Sequence, residues 1–419
     1  MQINKKSNVR EYTYEILLGV FYNGELLNES INKCFSENDF CDKDKAYVKN
    51  ECVGIVERCD ELDIIINEHL KNKNKRLDKE LQIVLRIGAY ELLYLDKVPT
   101  FATINECVNI IKHTRMKPLS GFVNAVLRNI YRSICNNVRR KNVNAKSLKR
   151  CYFRVYNNNE LLVIKELSNK NIVYKPYDGG FNFKYAKVYY ADNYKDIINT
   201  ECFKNGYIFI SDASSIYLTD KIADFIKSRK NSNKEVSIKV LDTCASPGGK
   251  VLGLIDFIQS DFDEIYAEAR DISDNKLNRI IENMDRLKVF NLKTFVKDAS
   301  SYDETDSEKY DVVICDVPCT GLGVLNKKPD IKLHYSEEKL KSLVPLQRRI
   351  LDTSSKYVKV GGILSYSTCT TTQDENEEVT KYFLNSNDNF CKLYEKRIEI
   401  NDENKSDGFY MCILEKRII

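Results

Sequence analysis

The 419-residue sequence contains no tryptophan, only 3 histidines and no Cys-x-x-Cys pair among its 14 cysteines. Since the histidines lie far apart, we expect no zinc site and no other bound metal. The polar N-terminus, residues 1–7, lacks the apolar core of a signal peptide, and no run approaches the ~18 apolar residues of a membrane span. We therefore expect a cytoplasmic protein with reduced thiols, no membrane partner and mostly buried cysteines.

The sequence also lacks a large excess of charge of either sign, because it has 65 basic and 61 acidic residues and its net charge is only +4. So small an excess does not by itself indicate a nucleic-acid partner, and clustered charges must carry that argument. With 43% hydrophobic and 30% charged residues the composition is typical of a soluble protein, and the length allows two or three domains.

Residues 1–135 carry apolar residues at helical spacing and predict an all-α region. Residues 81–95 are apolar nearly all round, which is typical of a helix in the middle of a bundle. Pro99 closes that helix, and two further amphipathic helices are predicted near residues 103–111 and 121–129. The region is therefore predicted to form a compact helical domain.

A basic tract follows the helical region and includes interleaved aromatic residues. Such side chains can displace counterions from phosphates and stack on unpaired bases, although a solvated linker would also be charged. We assign residues 136–205 to this linker and a small α+β subdomain that positions RNA. The residues are Arg128, Arg132, Arg139, Arg140, Lys141, Lys146, Lys149, Arg150 and Arg154, with Tyr131, Tyr152 and Phe153 between them.

From residue 206 to 419, strands and helices alternate, which predicts an α/β, Rossmann-like, mostly parallel and doubly wound sheet. A long helix is predicted over residues 336–360 and is expected to stop at Gly361 and Gly362. Ligands of such sheets bind beyond the carboxyl ends of the strands. The fold class is therefore multidomain, with an all-α domain, a small α+β subdomain and an α/β domain.

The stretch over residues 241–250 joins a predicted strand to a helix through a Pro-Gly-Gly turn. Glycine lets the backbone approach a ligand, and the helix N-terminus offers unpaired N–H groups. Val251 after Lys250 excludes a Walker loop, and the dinucleotide pattern is absent. An ordinary strand-to-helix turn remains an equal alternative on these residues alone.

Acids and cysteines follow the later strands. Asp271 and Asp298 end the second and third strands, where carboxylates can hold a nucleoside, although one such Asp is often only a helix cap. Cys319 and Cys369 each follow a strand at a Gly- or Thr-rich turn, whereas Cys315 lies within an apolar strand and is read as core. The pattern favours a nucleoside ligand with two accessible thiols beside it.

Two resemblances to known families rest on motifs in this order along the chain. Residues 85–93, 102–108 and 121–128 resemble the NusB-like RNA-binding domain. A second resemblance is to the Sun-type (RsmB-like) RNA cytosine-5 methyltransferases. It rests on residues 316–319 and 367–369, read with residues 244–250, 271–272 and 329–331. That family joins a NusB-like domain to an S-adenosylmethionine-dependent catalytic domain, so the resemblance extends over nearly the whole chain.

The resemblance implies specific roles. Cys369 would add to carbon 6 of a cytosine, Cys319 would assist release of the product, and Asp316 would hold the cytosine edge. It also implies that S-adenosylmethionine lies against a larger set of residues: Cys244, Ala245, Ser246, Pro247, Gly248, Gly249, Lys250, Asp271, Asp298 and Asp316. The target cytosine must be unstacked or in a loop.

The sequence departs from the family at Ser246, Val317 and Thr370, and it has Leu333-His334 where a Trp is common. A Ser/His-Pro-x-Trp segment between the domains is missing, which leaves RNA positioning and target identity open. We expect a monomer that methylates small-subunit ribosomal RNA. The alternatives are a transfer-RNA cytosine-5 methyltransferase and a non-catalytic RNA-binding assembly factor; DNA methylation is disfavoured because it does not need Cys369.

Overall fold

The computed structural model describes residues 8–70, 77–136, 150–229, 235–400 and 405–418. The chain divides into two compact units. Met1–Ser147 and Lys328–His334 form one unit, and Leu148–Lys327 and Tyr335–Ile419 form the other. In the described residues no helix combines the length and apolar character needed to cross a membrane.

The first unit is built from helices, which confirms the predicted all-α region. Asp78 caps the fifth helix by accepting from the Glu80 N–H, and every residue from 83 to 91 in that helix is buried. The apolar surface predicted nearly all round it is thus covered by its neighbours. The helices are α1 Val9–Tyr22, α2 Leu27–Glu37, α3 Asp42–Glu57, α4 Cys59–Glu68, α5 Lys79–Tyr94, α6 Thr100–Lys112 and α7 Ser120–Asn136.

The second unit begins with a small antiparallel sheet and short helices. Its strand order is β2-β3-β1-β4, and the buried strand β1 pairs on both sides. The boundary at residue 206 stays a prediction, and β4, which follows it, pairs within this small sheet. The elements are β1 Cys151–Val155, α8 Glu160–Asn169, β2 Tyr174–Pro176, β3 Val188–Ala191, α9 Tyr194–Ile198, α10 Glu201–Lys204 and β4 Ile208–Ile210.

A seven-stranded sheet of order β10-β11-β9-β8-β5-β6-β7 forms the rest of that unit. Strands β5 to β9 are parallel and β10 and β11 are antiparallel, which confirms the Rossmann-like prediction. The elements from here on are α11 Ala213–Ser228, β5 Glu235–Asp242, α12 Gly249–Ile258, β6 Phe262–Asp271, α13 Asp274–Leu287, β7 Leu292–Val296, β8 Tyr310–Asp316, α14 Ile331–His334, α15 Glu337–Lys356, β9 Val358–Thr368, α16 Glu377–Ser386, β10 Phe390–Ile398 and β11 Phe409–Lys416.

The short segment Lys328–His334, which includes α14, packs within the helical unit. Asp330 is buried and accepts a hydrogen bond of 3.0 Å from the Leu27 N–H, at the first turn of α2. Lys332 forms a 3.0 Å ion pair with Asp60, and Leu333 packs against the helical core. The Pro-Asp-Ile motif of residues 329–331 is therefore held by contacts within the helical unit.

The predicted end of the long helix is wrong. Helix α15 ends at Lys356, and Gly361 and Gly362 lie inside β9. Tyr357 and Val358 are buried, so the chain turns directly into the sheet. Gly361 has φ of 79°, and the register of β8 with β9 shifts between the pairs Tyr310–Val358 and Val312–Ile363, so the glycines between them allow a bulge rather than a helix stop.

Part of the predicted RNA-contacting tract is also wrong. Tyr152, Phe153 and Arg154 lie in the buried strand β1, and Arg154 is ion-paired with Asp256. These side chains are therefore core rather than RNA-stacking groups. Arg150 pairs with Asp178, while Arg128 and Tyr131 on α7 are exposed. The members from Arg139 to Lys149 lie outside the described residues.

Candidate active site

Four strands of the large sheet end in polar residues at one edge. Asp242 ends β5, Asp271 ends β6, Asp316 ends β8 and Thr368 ends β9. Because these strands are parallel, their carboxyl ends lie along the same side of the sheet, which is where such folds bind ligands. The sheet therefore gathers residues that are far apart in the sequence.

Cys319 and Cys369 are brought into direct contact, with their Sγ atoms 3.3 Å apart. Each follows one of the adjacent strands β8 and β9, in which Asp316 lies opposite Ser367. Both side chains are half-buried. The hydrogen bond to Cys369, together with burial, raises the pKa of the Cys319 thiol well above its ordinary value. Cys319 is therefore held as a protonated thiol near neutral pH.

A close backbone contact fixes the Cys369 loop. The Cys369 carbonyl accepts a 3.0 Å hydrogen bond from the Gly323 N–H, and the Gly408 N–H donates to the Gly323 carbonyl at 2.9 Å. A Cβ at Gly323 would lie 2.0 Å from the Gly408 oxygen, so only glycine allows this approach. Three loops thus meet beside the thiols.

Lys250 lies among the acids at the sheet edge. Its Nζ is 2.5 Å from an Asp316 carboxylate oxygen, and the other Asp316 oxygen accepts from Ser367 at 2.6 Å. Although burial lowers the pKa of Lys250, Asp316 and Asp242 raise it above the ordinary value. Burial, with the charge of Asp316, raises the pKa of Asp242 to about 7. The cluster contains more buried acid than Lys250 neutralises.

The Pro-Gly-Gly turn is bonded to the end of β6. Asp271 is buried and accepts from the Ser246 N–H at 3.0 Å and from the Ile272 N–H at 2.8 Å. Gly248 has φ of 94°, a left-handed conformation that favours glycine, and α12 begins at the next residue. The turn therefore presents the N-terminus of α12 toward the ligand edge of the sheet.

Two predicted site residues are placed differently from the rest. Asp298 lies two residues beyond the end of β7 and is exposed, and its carboxylate accepts from the Ser300 N–H and hydroxyl at 2.8 Å within a turn where no helix begins. Cys244 is half-buried, and its N–H donates to Asp242 at 3.3 Å. Burial raises the pKa of the Cys244 thiol well above its ordinary value, so it stays a neutral thiol.

Two family models match the chain. Residues 230–414 match the 16S rRNA methyltransferase RsmB/F family, and residues 7–132 match the NusB family. The chain joins a NusB-family domain to an RsmB/F-type methyltransferase domain. The resemblance read from the sequence motifs is thereby confirmed.

Curated relatives align with this chain along nearly their full length. A probable ribosomal RNA small subunit methyltransferase B of Bacillus subtilis (strain 168) is 26% identical over 459 residues, covering 99% of this chain and 100% of the relative. The ribosomal RNA small subunit methyltransferase B of Proteus mirabilis (strain HI4320) is 25% identical, covering 98% and 99%. The chain is therefore similar to these relatives over nearly its whole length.

Solved structures support the fold. The crystal structure of PH0851 aligns over 98% of this chain and 100% of its own, with a TM-score of 0.73 and 19% identity. A methyltransferase homolog from Pyrococcus horikoshii aligns over 85% and 99%, with a TM-score of 0.51 and 22% identity.

Sequence reasoning missed two buried acids of the methyltransferase domain, Asp242 and Glu375. Asp242 lies within the 241–250 stretch, and both acids are at most 1% exposed. A strand-end position could have pointed to Asp242, whereas nothing in the local pattern distinguishes Glu375 from its acidic neighbours. In the described parts of the chain, no group of three or more His, Cys, Asp or Glu side chains is arranged to hold a metal ion.

Proposed function

We propose that this RsmB/F-type protein methylates carbon 5 of a cytosine in small-subunit ribosomal RNA, using S-adenosylmethionine and a transient Cys369–carbon 6 bond. The observation that carries the proposal is the 3.3 Å contact between the Cys319 and Cys369 sulfurs at the ligand edge of the sheet. Carbon 5 of cytosine is a poor nucleophile, and a thiol that adds to carbon 6 activates it. A second thiol within contact distance fits a reaction that must later undo that bond.

The residues around the Pro-Gly-Gly turn suit a cationic nucleoside cofactor. At this edge Lys250 pairs with Asp316 and Lys276 pairs with Asp271, whereas Asp242 has no ion-pair partner among the described residues and burial raises its pKa. A sulfonium ion would stabilise the ionised form of Asp242, and a buried carboxylate such as Asp271 is suited to ribose hydroxyls. Bound there, S-adenosylmethionine would supply an electrophilic methyl group.

Cys369 carries the first step. Its sulfur bonds to carbon 6 as the 5,6 double bond shifts electrons toward carbon 5, which can then take the methyl group. Lys250 interacts electrostatically with Cys369, and a nearby cation favours the thiolate form of a cysteine. Asp316 holds the cytosine edge, and Lys250 beside it offsets negative charge that develops on the ring.

Cys319 assists the last step. Once carbon 5 carries the methyl group, its proton must leave so that the electrons re-form the 5,6 double bond and expel the Cys369 thiolate. The Cys319 thiol, whose raised pKa keeps its proton near neutral pH, can give that proton to the departing Cys369 sulfur, and the thiolate that this leaves on Cys319 takes the proton from carbon 5. Cys319 is in contact with the Cys369 sulfur and therefore close to the bond that breaks.

The substrate class rests on the relatives, whose names specify ribosomal RNA small subunit methylation. The target base must be unpaired or flipped out, because carbon 6 is inaccessible within a duplex. The NusB-family domain, with exposed Arg128 and Tyr131 on α7, is a suitable RNA-binding surface.

The test is methyl transfer by the purified full-length chain to unmodified small-subunit ribosomal RNA, followed by bisulfite sequencing. We expect a single cytosine to become resistant to conversion only when S-adenosylmethionine is present. Transfer to transfer RNA alone would replace the substrate assignment. Binding of both RNAs with no methyl transfer would favour the non-catalytic assembly factor.

A further inference from the structure

Each catalytic cysteine is followed directly by a buried threonine, and the two threonines are bonded to each other. The Thr320 and Thr370 hydroxyl oxygens are 2.8 Å apart. Since a bond between the neighbouring residues limits how far the two loops can separate, this pair constrains the distance between the sulfurs. The pair itself is held by a larger polar network beneath the thiols.

Glu375 is the centre of that network, and its carboxylate is fully buried. One oxygen accepts from the Thr320 N–H at 2.8 Å and from Gln347 at 2.9 Å. The other accepts from the Thr320 hydroxyl at 2.5 Å and from the Thr372 hydroxyl at 2.7 Å. Glu375 therefore ties the Cys319 loop directly to the Cys369 loop.

Two amides extend the network to the remaining neighbours of the cysteines. Gln347 on α15 donates to the Pro318 carbonyl at 2.9 Å, on the other side of Cys319. Asn376 donates to the Thr370 carbonyl at 3.1 Å and accepts from the Thr368 hydroxyl at 2.5 Å, so it spans Cys369. Residues on both sides of both cysteines are therefore fixed by buried polar groups.

An ordinary structural role does not explain this acid. Glu375 lies just before α16, yet its carboxylate bonds Thr320, Gln347 and Thr372 rather than the N–H groups of that helix. Among the described residues no Lys, Arg or His forms an ion pair with it. A buried carboxylate without a cation is costly, and apolar packing would serve stability as well or better. The presence of Glu375 is instead explained by its position, because it bonds both the Cys319 loop and the Cys369 loop.

We propose that Glu375 is a positioning residue that holds Cys319 and Cys369 at reacting distance, with Gln347 and Asn376 as its partners. The proposal rests on the proposed function, because reacting distance has meaning only if both thiols act on one base. Glu375 also faces Cys319 with an unbalanced negative charge, which adds to the causes of the raised pKa of that thiol. Geometry and charge thus act on the same sulfur.

The experiment compares the full-length wild-type chain with Glu375→Ala, Glu375→Gln and the matched control Glu377→Ala, which removes a carboxylate two residues away that pairs with Arg397. We expect Glu375→Ala to lower kcat by about 100-fold, as small misplacements of reacting groups do, with the Kd for S-adenosylmethionine unchanged. Glu375→Gln should recover about a tenth of the wild-type kcat, since an amide keeps part of the network. The control should match the wild type.

A second readout does not depend on methyl transfer. Diamide oxidises two adjacent thiols to a disulfide, and peptide mass spectrometry measures the Cys319–Cys369 product. We expect rapid formation in the wild type and Glu377→Ala, and formation about 10-fold slower in Glu375→Ala because the loops separate. If the wild type lacks methyltransferase activity but this difference persists, the proposed function fails, and only the finding that Glu375 keeps the two thiols in contact stands.

The charge of Glu375 gives a third readout. Removing it in Glu375→Gln should move the pH at which iodoacetamide alkylates Cys319 to lower values, which a purely structural residue would not do. Should Glu375→Ala not fold, Thr320→Val and Glu375→Gln carry the same comparison. Wild-type kcat together with a wild-type rate of disulfide formation in Glu375→Ala would overturn the proposal, as would an equal loss of cofactor binding and kcat.

Discussion

Glu91 and Glu375, one buried glutamate from each compact unit, are held in opposite ways. Glu91, on α5 of the helical unit, accepts from Arg10 at 2.6 and 3.1 Å and from the Tyr47 hydroxyl at 2.5 Å. Glu375, in the methyltransferase domain, is equally buried but is bonded by neutral groups. Arg10 balances the charge of Glu91, whereas no Lys, Arg or His among the described residues forms an ion pair with Glu375.

The difference separates stability from function. A buried acid paired with a guanidinium is a structural element, whose loss leaves an uncompensated charge and destabilises the fold. A buried acid without a cation costs stability, and at the ligand edge of a sheet it is a candidate functional group. Asp242 belongs to the second group, because Lys250 bonds Asp316 rather than Asp242. The comparison predicts that changes in the helical unit lower stability and changes at the site lower activity.

The largest effect on activity is expected from Cys369→Ala. Without the sulfur no bond to carbon 6 can form, so methyl transfer should fall by at least about 1,000-fold while S-adenosylmethionine still binds and the melting temperature stays near that of the wild type. Radiolabelled methyl transfer and calorimetric titration measure the two quantities. Cys391→Ala on β10 is the matched control, and persisting transfer in Cys369→Ala would contradict the role of this thiol.

The largest effect on stability is expected from Glu91→Ala. Arg10 would remain partly buried without its partner, so the free energy of unfolding of the helical unit should fall by about 3–5 kcal/mol. Urea denaturation followed by circular dichroism measures this loss. The control Glu11→Ala, a more exposed acid on α1, should change it by less than about 0.5 kcal/mol. Equal losses in both variants would remove the distinction between paired and exposed acids.

A smaller, pH-dependent effect is expected from Asp242→Asn. The pKa of Asp242 is raised to about 7 in the folded protein and is about 3.9 when unfolded, so the folded state binds the extra proton. Stability therefore falls as pH rises through that window, and the loss is complete above pH 7. Without cofactor, the melting temperature of Asp242→Asn should exceed that of the wild type by more at pH 8 than at pH 5. The same gain at both pH values would contradict the raised pKa.

The sequence predicts the layout well where it depends on local periodicity. Alternation of strands and helices places Asp271 and Asp316 at strand ends, and the motifs around Cys319 and Cys369 indicate the same edge of the sheet. Strand order and sulfur contact require non-local pairing of β8 with β9, which no local pattern contains. The two thiols could thus be chosen from the sequence, but their separation could not.

The wrong predictions share a physical cause. An Arg flanked by aromatic residues has the same local pattern in an RNA-binding tract as in a buried strand, and only the distant Asp256 shows that Arg154 is core. Half of the cysteines, seven of 14, are buried, rather than most of them. The glycines at 361 and 362 are consistent with a helix stop until β9 pairs with β8. Glu375 was missed because its partners come from three separate segments.

The central claim is that Cys369 bonds to the base and Cys319 is needed to break that bond. The most direct test incubates Cys319→Ala with S-adenosylmethionine and small-subunit ribosomal RNA, then denatures the mixture and maps any protein–RNA link by mass spectrometry. The account predicts a denaturation-resistant adduct on the Cys369 peptide that carries a methylated cytosine, and no such adduct in the Cys319→Ala, Cys369→Ala double variant. An adduct on another residue, or undiminished turnover without any adduct, would contradict it.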